Sequence, residues 1–79
     1  MMKPFTLEHL QALAREVIGD RRLVLRADQS AADVPGWDSL NHTLITLEIE
    51  AAASAAVDPQ MLAACADFGA LVALVRARQ

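Results

Sequence analysis

Aromatic side chains are scarce in this chain: Phe5, Trp37 and Phe68 are all it has, and tyrosine does not occur. A β-sandwich of this size would want more aromatic and β-branched residues to fill its pleated, half-buried faces. Cysteine occurs once, at Cys65, which excludes an internal disulfide and a multi-cysteine metal site. No apolar run reaches membrane-spanning length, because Glu48, Glu50, Asp58 and Asp67 interrupt the apolar segments. The opening Met1-Met2-Lys3-Pro4-Phe5 lacks the apolar core of a signal peptide. A reducing cytoplasm is therefore the expected address. Length is also short: 79 residues leave room for one domain, residues 1–79, and not for an open nucleotide-binding sheet, a (β/α) barrel or a hydrolase sheet.

Basic residues are absent from the middle of the chain. Between Ala27 and Val75 there is no Lys or Arg, while Asp28, Asp33, Asp38, Glu48, Glu50, Asp58 and Asp67 all fall there. Lys3, Arg15, Arg21, Arg22, Arg26, Arg76 and Arg78 lie outside it. Nucleic-acid binding needs a clustered basic face, so no nucleic-acid partner is expected for the middle segment. Carboxylates of one sign keep a small domain soluble, and they also suit a partner with a basic patch. What the sequence does have is 54% hydrophobic residues, much of it alanine, the best helix former. The composition predicts an all-α fold.

Thr6 has the chemistry of an N-cap, and Phe5 with Leu10 the spacing of a hydrophobic staple. Leu7, Leu10, Ala14 and Val17 continue a helical stripe widened by Leu13, with Glu8, Gln11, Arg15 and Glu16 free to face water; Gly19 closes the segment as a left-handed C-terminal residue. Asp20 to Trp37 is a long connection. Its Arg22-Leu23-Val24-Leu25-Arg26 reads locally as strand but has nothing to pair with, so Leu23, Leu25 and Val34 are expected to dip into the helix interface. Pro35-Gly36 marks a turn.

Asp38 then caps a second helix running to about Ala53. It carries two apolar rows: Ile45, Ile49 and Ala53 in one, Leu40, Leu44, Leu47 and Ala51 in the other. One must face the core, and the other is expected to stay partly exposed as a partner-binding face. Asp58-Pro59 opens a short third helix to about Ala64. Asp67 caps a fourth, in which Phe68, Leu71, Val72 and Val75 recur with helical period and Arg76 and Arg78 meet the dipole at its end.

Gly36-Trp37-Asp38-Ser39-Leu40 carries the chemistry. A serine in a helix's first turn, after a capping aspartate, is an exposed hydroxyl beside unsatisfied backbone amides and the positive end of a helix dipole. That place suits a serine bearing a phosphodiester. It suits a nucleophile poorly, since activation needs a base held by a third group. His42 could approach Ser39, yet no orienting carboxylate or oxyanion hole is marked. His9 and His42 are expected to be solvent-facing, and two histidines without matched ligands make no metal site. Trp37 is expected to be a partly buried anchor for the loop, and Cys65 a small buried apolar residue.

In these residues the chain resembles the acyl carrier proteins, and more broadly the phosphopantetheine-attachment domains. Asp38-Ser39-Leu40 is similar to the Asp-Ser-Leu with which that family opens the second of four helices, and Asp67-Phe68-Gly69-Ala70-Leu71 looks like its approach to helix four. The likeness spans nearly the whole chain, long loop included. It implies a small four-helix bundle of the acyl-carrier type, with a long loop between helices one and two and a short third helix. It further implies that Ser39 receives 4′-phosphopantetheine from coenzyme A through a separate magnesium-dependent transferase, and that the arm's thiol holds acyl groups as thioesters. Asp38 would cap helix two and aid transferase recognition; Leu40, Thr43, Leu44 and Leu47 would form the surface for the transferase and for acyl-loading and acyl-processing enzymes. The chain itself would catalyse nothing, and a monomer is expected.

Helix two departs from the family pattern, with Ala51, Ala52 and Ala53 after Glu48 and Glu50, and Leu44 where an acidic residue is common. Partner binding then rests more on apolar contact. The departure, with Trp37 before the aspartate, points away from housekeeping fatty acid biosynthesis and toward a specialised lipid, polyketide or related pathway. An aminoacyl or peptidyl carrier is the alternative within the family, and an unmodified helical interaction module the alternative outside it. Small alanines facing Ile45 and Ile49 leave open an acyl cavity there, and a chain starting at Met1 fits a free-standing carrier.

Overall fold

Each helix of the computed structural model, which describes residues 3–79, starts where a short polar side chain can cap it. Met1 and Met2, read above as part of the opening without a signal sequence, lie outside the described residues. Helix α1 spans Leu7–Ile18, α2 Ser39–Ala53, α3 Pro59–Ala63 and α4 Phe68–Arg78. Thr6, Asp38, Asp58 and Asp67 each accept a first-turn amide through the side chain, satisfying donors that a helix start otherwise leaves open. Among the described residues there is no strand. The third helix ends at Ala63, with Ala64 as its cap.

Helix α1 packs on α2 and α4, and α2 packs on α3. The core draws Phe5, Leu10 and Ala14 from the first segment, Ile45, Ile49 and Ala53 from α2, and Phe68, Leu71, Val72 and Val75 from α4. The staple pair Phe5 and Leu10 is buried as expected. Phe5 is also held from the far end of the chain, its amide donating to Gln79 Oε1 at 2.8 Å and its carbonyl accepting from Arg76 Nε.

The connection from Asp20 to Trp37 buries Leu25 and Val34 and half-buries Leu23. Two of its backbone groups are satisfied by side chains of α1, which corrects the expectation for Gln11 and Arg15. Both are half-buried. Gln11 Oε1 accepts from the Leu25 amide at 3.0 Å, and Arg15 Nε donates to the Leu23 carbonyl at 2.7 Å. The segment also contains an unanticipated 3-10 turn, Ala31–Asp33, closed by Ser30 and Asp33 as a capping box. Carbonyls just ahead of that turn serve α4: Phe68 N donates to Gln29 O and Gly69 N to Ala27 O, each at 2.9 Å. Asp67 takes the next two amides, with its side chain for Ala70 and its carbonyl for Leu71. The loop thus completes the start of α4 by supplying acceptors for its first amides.

Helix α2 ends on Ser54 at φ 51°, the one non-glycine residue with positive φ among those described. A side chain there is strained, and glycine is the residue that such a helix end favours. Ser54→Gly should stabilise the domain by about 0.5–1 kcal/mol. Thermal unfolding followed by circular dichroism would read this as a rise in Tm of roughly 2–8 °C.

Candidate functional site

The turn ahead of α2 sets the site. Trp37 N donates to Val34 O at 3.1 Å across Pro35-Gly36, and Gly36 has φ 88°, the arrangement of a turn with proline second and glycine third. Gly36 also passes so close to α1 that a Cβ on it would stand 2.7 Å from Ile18 Cγ2. Asn41 Nδ2 reaches back to the Gly36 carbonyl at 2.8 Å. The start of α2 is thereby locked to the turn and, through Ile18, to the end of α1.

Asp38 Oδ1 accepts from Asn41 N at 2.8 Å, and its carbonyl accepts from His42 N. Ser39 is exposed in the first turn, as is Leu40. Among the described residues nothing accepts from the amides of Ser39 and Leu40, in contrast to the fully covered start of α4. An oxygen-rich anion on the Ser39 hydroxyl would meet two free donors and the positive end of a fifteen-residue helix.

The two apolar rows of α2 divide as the period requires. Ile45, Ile49 and Ala53 are buried; Leu40, Leu44 and Leu47 are 68%, 41% and 57% exposed, and Thr43 and Ala51 are exposed beside them. Thr43 Oγ1 donates to the Ser39 carbonyl at 3.1 Å. Beside this apolar strip lie Glu48 and the exposed cap Asp38.

An open pocket of about 570 Å³ begins at Ser39 and runs between the 3-10 turn, the first half of α2, α3 and the start of α4. Trp37, Leu62, Phe68 and Leu71 supply apolar wall; Ser39 and His42 stand on its α2 side. Ile45 and Ile49, beside which the sequence left a cavity open, are buried and do not line this pocket. The opening lies a turn earlier, with the short side chains of Ala31, Ala32 and Ala63 also in its lining. Among the described residues no group of three or more His, Cys, Asp or Glu is placed to hold a metal ion, and no helix is long and apolar enough to cross a membrane.

Comparison with protein-family models, with curated proteins and with solved structures finds no match. The site has to be read from its own geometry.

Trp37 is the half-buried anchor expected of it, its ring 4.9 Å from that of Phe68. His9 is exposed, and its ring closes a capping box, with Nδ1 accepting from the Thr6 amide at 3.3 Å while Thr6 Oγ1 accepts from His9 N. His42 does not face solvent as expected. It is half-buried, with Nδ1 2.9 Å from Trp37 Nε1 and Nε2 2.8 Å from the Pro59 carbonyl. Cys65 is half-buried and not fully buried; its thiol lies 3.5 Å from the Met61 carbonyl, and burial, with the charge of Asp67, pushes its pKa above the usual thiol value. A raised thiol is a poor nucleophile at neutral pH.

Sequence reasoning missed His42 and Thr46. Their signal was present: 42, 45, 46, 49 and 53 form one helical stripe, spaced i, i+3, i+4, i+7 and i+11. Thr46 is fully buried with its hydroxyl donating to the His42 carbonyl at 2.8 Å, so a polar residue sits in the core at no unpaired cost.

Proposed function

We propose that this chain is an acyl carrier protein whose Ser39 bears a 4′-phosphopantetheine arm. The observation that carries the reading is the exposed Ser39 hydroxyl in the first turn of α2, beside two uncovered amides and at the mouth of an apolar pocket. In the attachment step the Ser39 oxygen bonds the pantetheine-bearing phosphorus of coenzyme A. The pyrophosphate bond breaks, adenosine 3′,5′-bisphosphate leaves, and the serine proton passes to the transferase. The arm, once attached, supplies a thiol that carries acyl groups as thioesters.

The chain's own residues present and orient. Asp38 holds the first turn closed next to Ser39 and offers a carboxylate to the transferase. Leu40, Thr43, Leu44 and Leu47 form a docking strip for the transferase and for loading and processing enzymes. The strip holds three leucines and few carboxylates, so apolar contact outweighs charge in partner choice, in keeping with a carrier for a specialised lipid, polyketide or related pathway.

Incubation with coenzyme A, magnesium and a broad-specificity phosphopantetheinyl transferase should shift the intact mass by one phosphopantetheine. Ser39→Ala should show no shift while keeping the helical circular dichroism of the parent. An unmodified parent, under conditions that load a control carrier, would leave only an unmodified interaction module.

A further inference from the structure

Among the described residues one hydrogen bond joins α2 to α3, and it comes from the same imidazole that holds the only tryptophan. An indole Nε1–H can only donate and a proline carbonyl can only accept. Trp37 therefore requires a bare His42 Nδ1, and Pro59 requires the proton on Nε2. The two partners fix the ring as the neutral Nε2–H tautomer. Through Trp37, whose ring packs at a tilt against Phe68, this clasp ties the turn before α2, α2 itself, α3 and α4 around one pocket wall.

We infer that His42 is a pH-sensitive latch on Trp37. Protonation places an N–H on Nδ1, facing the indole N–H, so that bond is lost. The bond to the Pro59 carbonyl persists, because Nε2 remains a donor and a charged donor bonds more strongly. Falling pH thus frees Trp37 and opens the wall next to Ser39 while α3 stays attached. Histidine is the side chain whose charge ordinarily changes between pH 5 and 8.

The other titratable groups around this wall are Asp38 at the α2 cap, Asp33 in the 3-10 turn, Asp58 at the α3 cap beside Pro59, and Cys65 and Asp67 ahead of α4. None of them bonds the ring, and no Lys or Arg lies in residues 27–75. The latch needs no group on Ser39, so it stands or falls separately from the carrier reading.

The test uses the unmodified chain, in which Trp37 is the only tryptophan and there is no tyrosine. From pH 8 to pH 5 the emission maximum should move to the red and acrylamide quenching should rise, with helical circular dichroism unchanged. His42→Gln carries an acceptor oxygen and an amide donor without a titratable ring, and should abolish the transition. His9→Gln, which keeps a capping-box residue at its position, should retain it. At pH 8 the imidazole nitrogen shifts of the parent should report the Nε2–H tautomer of His42. A flat emission profile in the parent, the same transition in His42→Gln, the opposite tautomer, or helix loss concurrent with the tryptophan shift would each overturn the latch. The parent's emission profile and tautomer together still test the latch if His42→Gln does not fold.

Discussion

Phe68→Ala should remove a large share of the chain's stability. Phe68 is buried to 1% exposure in the first turn of α4, and truncating such a ring costs about 3–5 kcal/mol in lost transfer energy and residual cavity. A domain of this length holds roughly 4–12 kcal/mol in all. Three systems meet at this residue: the core, the ring of Trp37, and the backbone bond from Phe68 N to the Gln29 carbonyl. The cavity would open onto the pocket, so water can enter it and the walls have little reason to collapse. Urea unfolding should show a midpoint well below the parent's, and thermal melting a Tm lower by roughly 15–30 °C. A change of less than about 1 kcal/mol would mean that the pocket-side packing of Phe68 contributes little.

Gly36→Ala should cost about 2–4 kcal/mol, from two separable sources. Holding an alanine at φ 88° costs about 1–2 kcal/mol. The added methyl also meets Ile18 Cγ2 at 2.7 Å, and Ile18 is branched at Cβ, so it yields only by changing rotamer or shifting the end of α1. Gly19 supplies the control. It has φ 82° with nothing near its missing Cβ, so Gly19→Ala should cost the backbone share alone, about 1 kcal/mol. Equal losses in the two variants would refute the close approach at Gly36. The double variant Gly36→Ala with Ile18→Ala should recover part of the loss relative to the sum of the singles. Because Asn41 bonds the Gly36 carbonyl, the same substitution should disturb the first turn of α2, and under the proposed carrier function it should lower the fraction of Ser39 modified at a fixed time.

The helices were legible because their signals are local. A cap acts on an amide three residues away, and Thr6, Asp38, Asp58 and Asp67 all do so where the pattern of apolar residues begins. The division of α2 into a buried and an exposed row was legible as a period, but not which row turned inward. That depended on core residues arriving from elsewhere in the chain, among them Phe5, Leu10 and Val75, to form one buried cluster with Ile45 and Ile49. Gln11 and Arg15 read as solvent-facing residues because nothing nearby in sequence needs them. Their partners are loop amides and carbonyls eight to fourteen residues on.

The amino-acid sequence by itself determined an all-α chain, its four helix starts, and a serine placed in the first turn of the second helix, since composition, period and capping act over one or two turns. Tertiary structure alone decided that the long loop lies across the start of α4, that the pocket opens at Ser39 and not beside Ile49, and that His42 is bonded on both nitrogens. Each of those depends on backbone polar groups and side chains distant in sequence satisfying one another once the helices have packed, and no local pattern encodes which of them will meet.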